Sequence, residues 1–163
     1  MGANSKALRD LAHLFKIAGA SDPEAWARSE LEEGIPQLSR FLFLRQAWRE
    51  VIKDGDSSWI DTEIASARQA PNDPGSGIGP ALERLVAGGA LRDDISKVAR
   101  IMQWQLLSRM CYLLSDPSIE ERELQGTGWC LFEVDESGNA GRPIDGLHES
   151  VLETDPTGRE MRP

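Results

Sequence analysis

Hydrophobic residues recur at helical spacing through the first two-thirds of the chain. Between residues 5 and 18, apolar side chains return every three or four positions, which places them on one face of a helix. The same spacing predicts further helices over residues 23–34, 36–53, 58–69, 81–87 and 95–115. Residues 70–80 hold three prolines and three glycines, a composition that interrupts regular structure, so we expect a loop there.

The pattern changes after residue 126. Residues 128–134 are rich in aromatic and branched side chains, which favour a strand, and residues 135–141 have the composition of a turn. Residues 142–147 return as a second strand, which Pro143 limits to a sheet edge. We therefore predict a mainly α fold, a single-domain bundle of five or six helices with a small C-terminal β-hairpin and an extended tail. The domain, 1–163, would comprise a helical part over 1–126, a hairpin region over 127–152 packed on it, and a C-terminal arm over 153–163.

Charge narrows the classes of partner. The 163 residues include 27 acidic and 18 basic side chains, a formal net charge of −9. A field of that sign repels nucleic acids and anionic membranes, so we expect neither as a partner. No apolar run approaches the roughly 20 residues of a membrane span. Cys111 and Cys130 lie in apolar runs, as buried and reduced thiols do, and we therefore expect a cytoplasmic protein.

The motifs for catalysis and metal binding are weak. His148, next to Glu149, is the best candidate for acid–base chemistry, although a surface or capping role is the more common use of such a histidine. Two cysteines 19 residues apart do not have the spacing of a structural zinc site. Residues 54–65 begin like a calcium loop but lack its glycine and its final glutamate. We therefore expect no metal and no cofactor.

Three arginines interrupt predicted apolar faces. Arg45 and Arg49 fall on the apolar face of the helix over 36–53, and Arg109 falls on that of the helix over 95–115. Because an unpaired buried charge is costly, each needs an internal carboxylate, a route to solvent, an anionic ligand or an acidic side chain of a partner. Phe43 is predicted to lie on the polar face of its helix, where it is a candidate contact for a partner protein. In the helix over 95–115, the residues expected to face inward are Ile95, Val98, Ala99, Met102, Leu106 and Met110.

These observations support two classes of function. The first is a non-enzymatic acidic module that binds a basic protein, since small, acidic, Trp-rich, helical chains without catalytic motifs are typical of bacterial immunity (antitoxin-like) and adaptor proteins. It predicts an acidic surface patch with an aromatic side chain at its centre. The alternative is a small enzyme or an anion-binding domain, which predicts His148 within reach of Arg45, Arg49 or Arg109 around a cavity. A homodimer formed through the arm over 153–163 is a further hypothesis.

Overall fold

The computed structural model describes residues 2–116 and 119–162. These residues form seven α-helices and one two-stranded antiparallel sheet, which confirms the predicted mainly α fold with a C-terminal hairpin. The helices are α1 (Gly2–Ala18), α2 (Pro23–Glu33), α3 (Gln37–Ala47), α4 (Trp59–Gln69), α5 (Ile78–Ala87), α6 (Arg92–Ser115) and α7 (Leu147–Ser150), and the strands are β1 (Leu131–Val134) and β2 (Ala140–Ile144). The single-turn helix α7 is the one that the hydrophobic pattern did not predict.

The chain divides into two compact units. The first comprises residues 1–48 and 107–163, and the second comprises residues 49–106. Helix α6 therefore contributes its residues through Leu106 to the second unit and its residues from Leu107 to the first. The boundaries of these units differ from the boundaries expected at residues 126 and 152. The single domain stays a prediction.

An aromatic cluster lies in the core of the first unit. Phe15 of α1, Trp26 of α2 and Phe41 of α3 have ring centroids 5.4–5.9 Å apart. The stacked and edge-on contacts of these rings stabilise the core beyond the burial of apolar area. Asp22 caps α2 by accepting a hydrogen bond from the backbone N–H of Ala25 at 3.0 Å, and a proline occupies the first turn. These local signals explain why α2 begins where the sequence predicts.

The C-terminal segment packs against the end of α3 in the same unit. Val151 is buried, and its carbonyl oxygen accepts a hydrogen bond from Nε1 of Trp48 at 2.9 Å. Asp155 is also buried, and its carboxylate accepts a hydrogen bond from the backbone N–H of Met161 at 2.9 Å. Residues 153–162 therefore form a series of turns with buried positions, and differ in this from the extended arm expected from the sequence.

The second unit is built on α4, α5 and the first part of α6. Helices α4 and α5 approach so closely at Gly79 that a Cβ there would lie 2.4 Å from Cβ of Ala67. Gly79 was expected in the loop over 70–80, but it lies inside α5, where its missing side chain permits this contact. Trp59 donates from Nε1 to Oγ of Ser96 at 2.8 Å, which joins α4 to α6.

Helix α6 turns a different face inward from the one predicted. Val98 and Met102 are 58% and 64% exposed, whereas Ser96 and Arg100 are buried. The burial of these polar side chains is offset by hydrogen bonds, since the guanidinium of Arg100 donates to the carbonyl oxygen of Ile52 at 2.5 Å. The expectation that the most apolar side of this helix faces the core is therefore wrong.

Candidate functional site

The three candidate arginines have different environments in the described structure. Arg45 on α3 is half-buried, and its Nη1 donates to the carbonyl oxygen of Ala18 at 3.2 Å. Arg49, in the 3₁₀ turn that follows α3, and Arg109 on α6 are both exposed, so their expected core positions are wrong. The regular helix α3 ends at Ala47, so Arg49 does not follow the helical spacing that would place it on the apolar face. The apolar side chains on the same side of α6 as Arg109 are exposed. Phe43, expected on the polar face of α3, is half-buried.

The two candidate catalytic residues lie on α7. The imidazole of His148 is half-buried and stacks on the ring of Tyr112, with centroids 4.1 Å apart and planes at 24°. Its Nδ1 is buried and has no hydrogen-bond partner among the described residues. Glu149 is exposed, and its Oε2 lies 3.4 Å from the guanidinium of Arg40. A catalytic histidine is normally oriented by a hydrogen bond at one ring nitrogen, and Nδ1 of His148 has no such bond to the described residues.

Arg40 on α3 is the buried arginine of the first unit, and the sequence pattern did not single it out. Its guanidinium donates to the carbonyl oxygen of Gly146 and faces Glu149, and its side chain is 4% exposed. Burial raises the pKa of the nearby Glu153, and the positive charge of Arg40 partly offsets that effect. The partners of Arg40 lie 106 and 109 residues further along the chain, so no local pattern could have identified them.

A network of charged side chains fixes the inner face of the hairpin. Arg142 of β2 donates to Glu133 of β1 at 2.8 and 3.0 Å, and to Glu30 of α2 at 2.7 Å. Ser39 of α3 donates its hydroxyl to Glu133 at 2.7 Å. The hydrogen bonds from Arg142 are the main cause that lowers the pKa of Glu133. Next to this network, Ile144 of β2 is buried, so polar and apolar contacts together hold the hairpin on the helices.

The outer face of the hairpin is apolar and exposed. Because side chains alternate along a strand, β1 directs Phe132 and Val134 outward, where they are 44% and 69% exposed. In the antiparallel register Phe132 lies opposite Pro143, and Val134 lies opposite Ala140. Residues opposite each other share a face, so these four exposed residues form one apolar strip across both strands.

Acidic residues flank this strip. Asp135 and Glu136 are exposed in the turn that directly follows β1. The side chain of Asn139 and backbone N–H groups of the turn donate hydrogen bonds to the carboxylate of Asp135, and these bonds lower its pKa. By sequence, residues 116–136 hold seven acidic side chains and one basic one. The outer face of the hairpin therefore presents an aromatic ring and an apolar strip next to the exposed carboxylates of Asp135 and Glu136.

None of the candidate residues lines either of two clefts in the described structure. A cleft of about 250 Å³ lies between α1 and α2, and one of about 350 Å³ lies beside α4, α5 and the loop that joins them. The first is lined by Asn4, Ser5, Leu8, Arg28, Leu31 and Glu32, and the second by Glu63, Ser66, Ala67, Ala70, Asp73, Pro74, Gly75, Ser76 and Ile78. Within residues 2–116 and 119–162, no three histidine, cysteine or acidic side chains are grouped so as to hold a metal ion.

Comparisons with known proteins do not identify a relative of this chain. Family models, curated proteins and solved structures were compared with the chain, and none of them matches it. In the part of the chain that the structure describes, the helices are too short or too polar to cross a bilayer.

Proposed function

We propose that this chain is a non-enzymatic protein-binding module that recognises a basic partner protein through the outer face of its hairpin. The observation that carries the proposal is the exposure of Phe132 and Val134 next to the acidic turn residues Asp135 and Glu136. Protein-binding surfaces combine an apolar centre with a polar rim, and aromatic side chains in the centre contribute much of the affinity. Charges on the rim mainly set the association rate and the choice of partner.

The attachment of the inner face supports this proposal. Glu133 and Arg142 hold the two strands together, and Glu30 connects them to α2 through Arg142. A surface that is ordered before binding loses less conformational entropy when the partner arrives. The apolar strip also lies on the side of the sheet opposite to these contacts, so a partner can cover it without breaking them.

The distribution of charge favours a basic partner. Residues 107–163 hold twelve acidic and five basic side chains, and so account for −7 of the net charge of −9. Such a field attracts a cationic surface and repels nucleic acids, and it raises the association rate at low salt. We further propose a cytoplasmic location, because Cys111 and Cys130 are free thiols. The expected burial holds for Cys111 and is wrong for Cys130, which is exposed. An immunity protein or an acidic adaptor has these properties.

The alternative, an enzyme or anion-binding domain around His148, has less support. Arg45 donates to a backbone carbonyl of α1, and Arg40 is occupied by Gly146 and Glu149. A guanidinium that already has these partners offers fewer donors to an anionic ligand. The alternative requires instead that Arg109, which is exposed, and His148 bind an anion at the protein surface.

Affinity capture tests the proposal, with the purified chain immobilised and exposed to a lysate of the cells that produce it. At about 50 mM salt the wild type should retain a protein rich in lysine and arginine, and about 500 mM salt should weaken retention because salt screens exposed charges. Phe132→Ala should reduce retention about tenfold or more, as expected for an aromatic side chain at the centre of an interface. Glu136→Lys should reduce it at the lower salt concentration.

Two matched variants serve as controls. Ile17 on α1 is 68% exposed, and Ile17→Ala removes an exposed apolar side chain away from the hairpin. Asp10 is an exposed residue of α1, and Asp10→Lys changes the net charge by the same amount as Glu136→Lys. Retention should survive both changes. Equal loss in the control and hairpin variants would overturn the proposal, and so would a wild type that retains no protein at about 50 mM salt.

A further inference from the structure

The outward face of α6 is apolar along most of this 24-residue helix. Val98, Met102, Leu106 and Met110 recur every four residues and are 45–64% exposed. Positions four residues apart rotate by about 40° around the helix axis, so these side chains form a slanted ridge along the surface of α6. Ridges of this kind are the elements through which two helices pack against each other.

Opposite charges lie at the two ends of this ridge. Asp94, in the first turn of α6, flanks the ridge at its N-terminal end, and Arg109 lies near its C-terminal end. Arg109 follows Met102 by seven residues, which places both on the same side of the helix. Both charged side chains are exposed, and within the described residues neither one forms an ion pair.

We propose that α6 pairs with α6 of a second copy of this chain in antiparallel orientation. If Met102 lies close to the two-fold axis, Asp94 of one copy comes to lie beside Arg109 of the other, and the symmetry repeats this ion pair. The ridge is therefore complementary to itself in charge as well as in apolar character. Parallel pairing in register would instead place Asp94 next to Asp94 and Arg109 next to Arg109, which is unfavourable. This self-complementarity favours a second copy over an unrelated partner.

The size of the exposed surface sets the expected affinity. Six large apolar side chains on or directly before α6 are 41–67% exposed, namely Leu91, Val98, Met102, Leu106, Met110 and Leu113. They provide on the order of 500 Å² per copy, and thus roughly 1,000 Å² in a dimer, which is the lower limit for a specific interface. We therefore expect a weak dimer with a dissociation constant in the micromolar range.

Sedimentation velocity of the full chain tests this proposal over about 5–500 µM, a range that spans micromolar dissociation constants. The wild type should change from monomer to dimer with rising concentration. Met102→Glu should raise the dissociation constant about tenfold or more, because it places two carboxylates near the two-fold axis. Leu85→Glu should leave the dimer unchanged, since Leu85 is 50% exposed on α5 and lies outside the ridge.

A charge exchange tests the antiparallel orientation. Arg109→Asp should weaken the dimer because it sets Asp94 against a second carboxylate, and the double variant Asp94→Arg/Arg109→Asp should restore it. Circular dichroism monitors the helix content, since Asp94→Arg also removes an acid from the first turn. A wild type that stays monomeric at the highest concentration, or a dimer that survives Met102→Glu, would overturn the proposal. A double variant that folds but does not dimerise would refute the antiparallel arrangement.

Discussion

Replacing Arg142 by alanine should loosen the hairpin on which the proposed binding surface lies. The guanidinium makes one contact of 2.7 Å with Glu30 and two, of 2.8 and 3.0 Å, with Glu133. Glu30 is 10% exposed and retains one other partner, the backbone N–H of Leu38 at 2.8 Å. In the variant, the nearly buried carboxylate of Glu30 therefore makes fewer hydrogen bonds to replace those that it loses with water on folding.

The exposure of Arg142 and its partners determines how much the free energy of unfolding falls in this variant. Hydrogen bonds to charged groups contribute roughly 1.5–3 kcal/mol when buried, but ion pairs in solvent contribute only about 0.2–1 kcal/mol. The side chain of Arg142 is 44% exposed, so solvent screens part of each contact. We therefore expect Arg142→Ala to reduce the free energy of unfolding of the first unit by about 1–2 kcal/mol, which is a factor of about 5–30 in the ratio of folded to unfolded molecules.

Amide hydrogen exchange measured by mass spectrometry provides the assay. Peptides that cover β1 and β2 should exchange faster in Arg142→Ala than in the wild type, by a factor of up to about 5–30. The exchange of peptides from α4 should not change. Arg162→Ala is the control, because Arg162 is 77% exposed and its ion pair with Glu160 lies at the surface. If the hairpin peptides exchange equally in both variants, the network around Arg142 does not hold the hairpin, and this reasoning is refuted.

The packing at Gly79, the exposure of the two cysteines and the pKa of Glu133 can each be tested by experiment. Gly79→Ala should destabilise the second unit by about 1–3 kcal/mol in urea unfolding, because its Cβ would meet that of Ala67, and Ala67→Gly should rescue it. Cys130 is exposed and should react rapidly with a thiol reagent, whereas Cys111 is buried with a pKa raised to about 11 by desolvation and should react only after unfolding. Hydrogen bonds from Arg142 hold the pKa of Glu133 below the ordinary value of a glutamate, so the charged carboxylate stabilises the fold above that ordinary pKa. This contribution to stability should disappear as the pH falls through the folded-state pKa, and Arg142→Ala should flatten the pH dependence of unfolding.

The limits of α2 were predictable because local residues determine them. Asp22 and Pro23 mark the start of α2, and Gly34, with a φ of 73°, ends it. The inward face of α6 was not predictable in the same way. That helix carries apolar residues on most of its circumference, and the buried side contains Ser96 and Arg100, whose partners lie on distant segments.

The candidate site shows the same contrast between local and distant information. The aromatic and branched residues over 128–134 predicted a strand, which the structure forms at Leu131–Val134, but this composition does not decide which face of the strand is covered. Contacts of Glu133 with Ser39 and Arg142 turn that residue inward, and Phe132 is consequently exposed. The role of Arg40 also depends on distant partners and could not be predicted from the surrounding pattern.

Site-specific photo-crosslinking would identify a protein that contacts the outer face of the hairpin. A benzophenone amino acid in place of Phe132 would stand on the outer face of the hairpin, and the same residue in place of Ile17 would stand on the exposed side of α1. If the hairpin is the binding surface, illumination in the lysate should attach one basic protein to the chain at position 132 and not at position 17, and about 500 mM salt should weaken the product. Crosslinking of the same protein from position 17 alone, or of none from position 132, would contradict the proposed function.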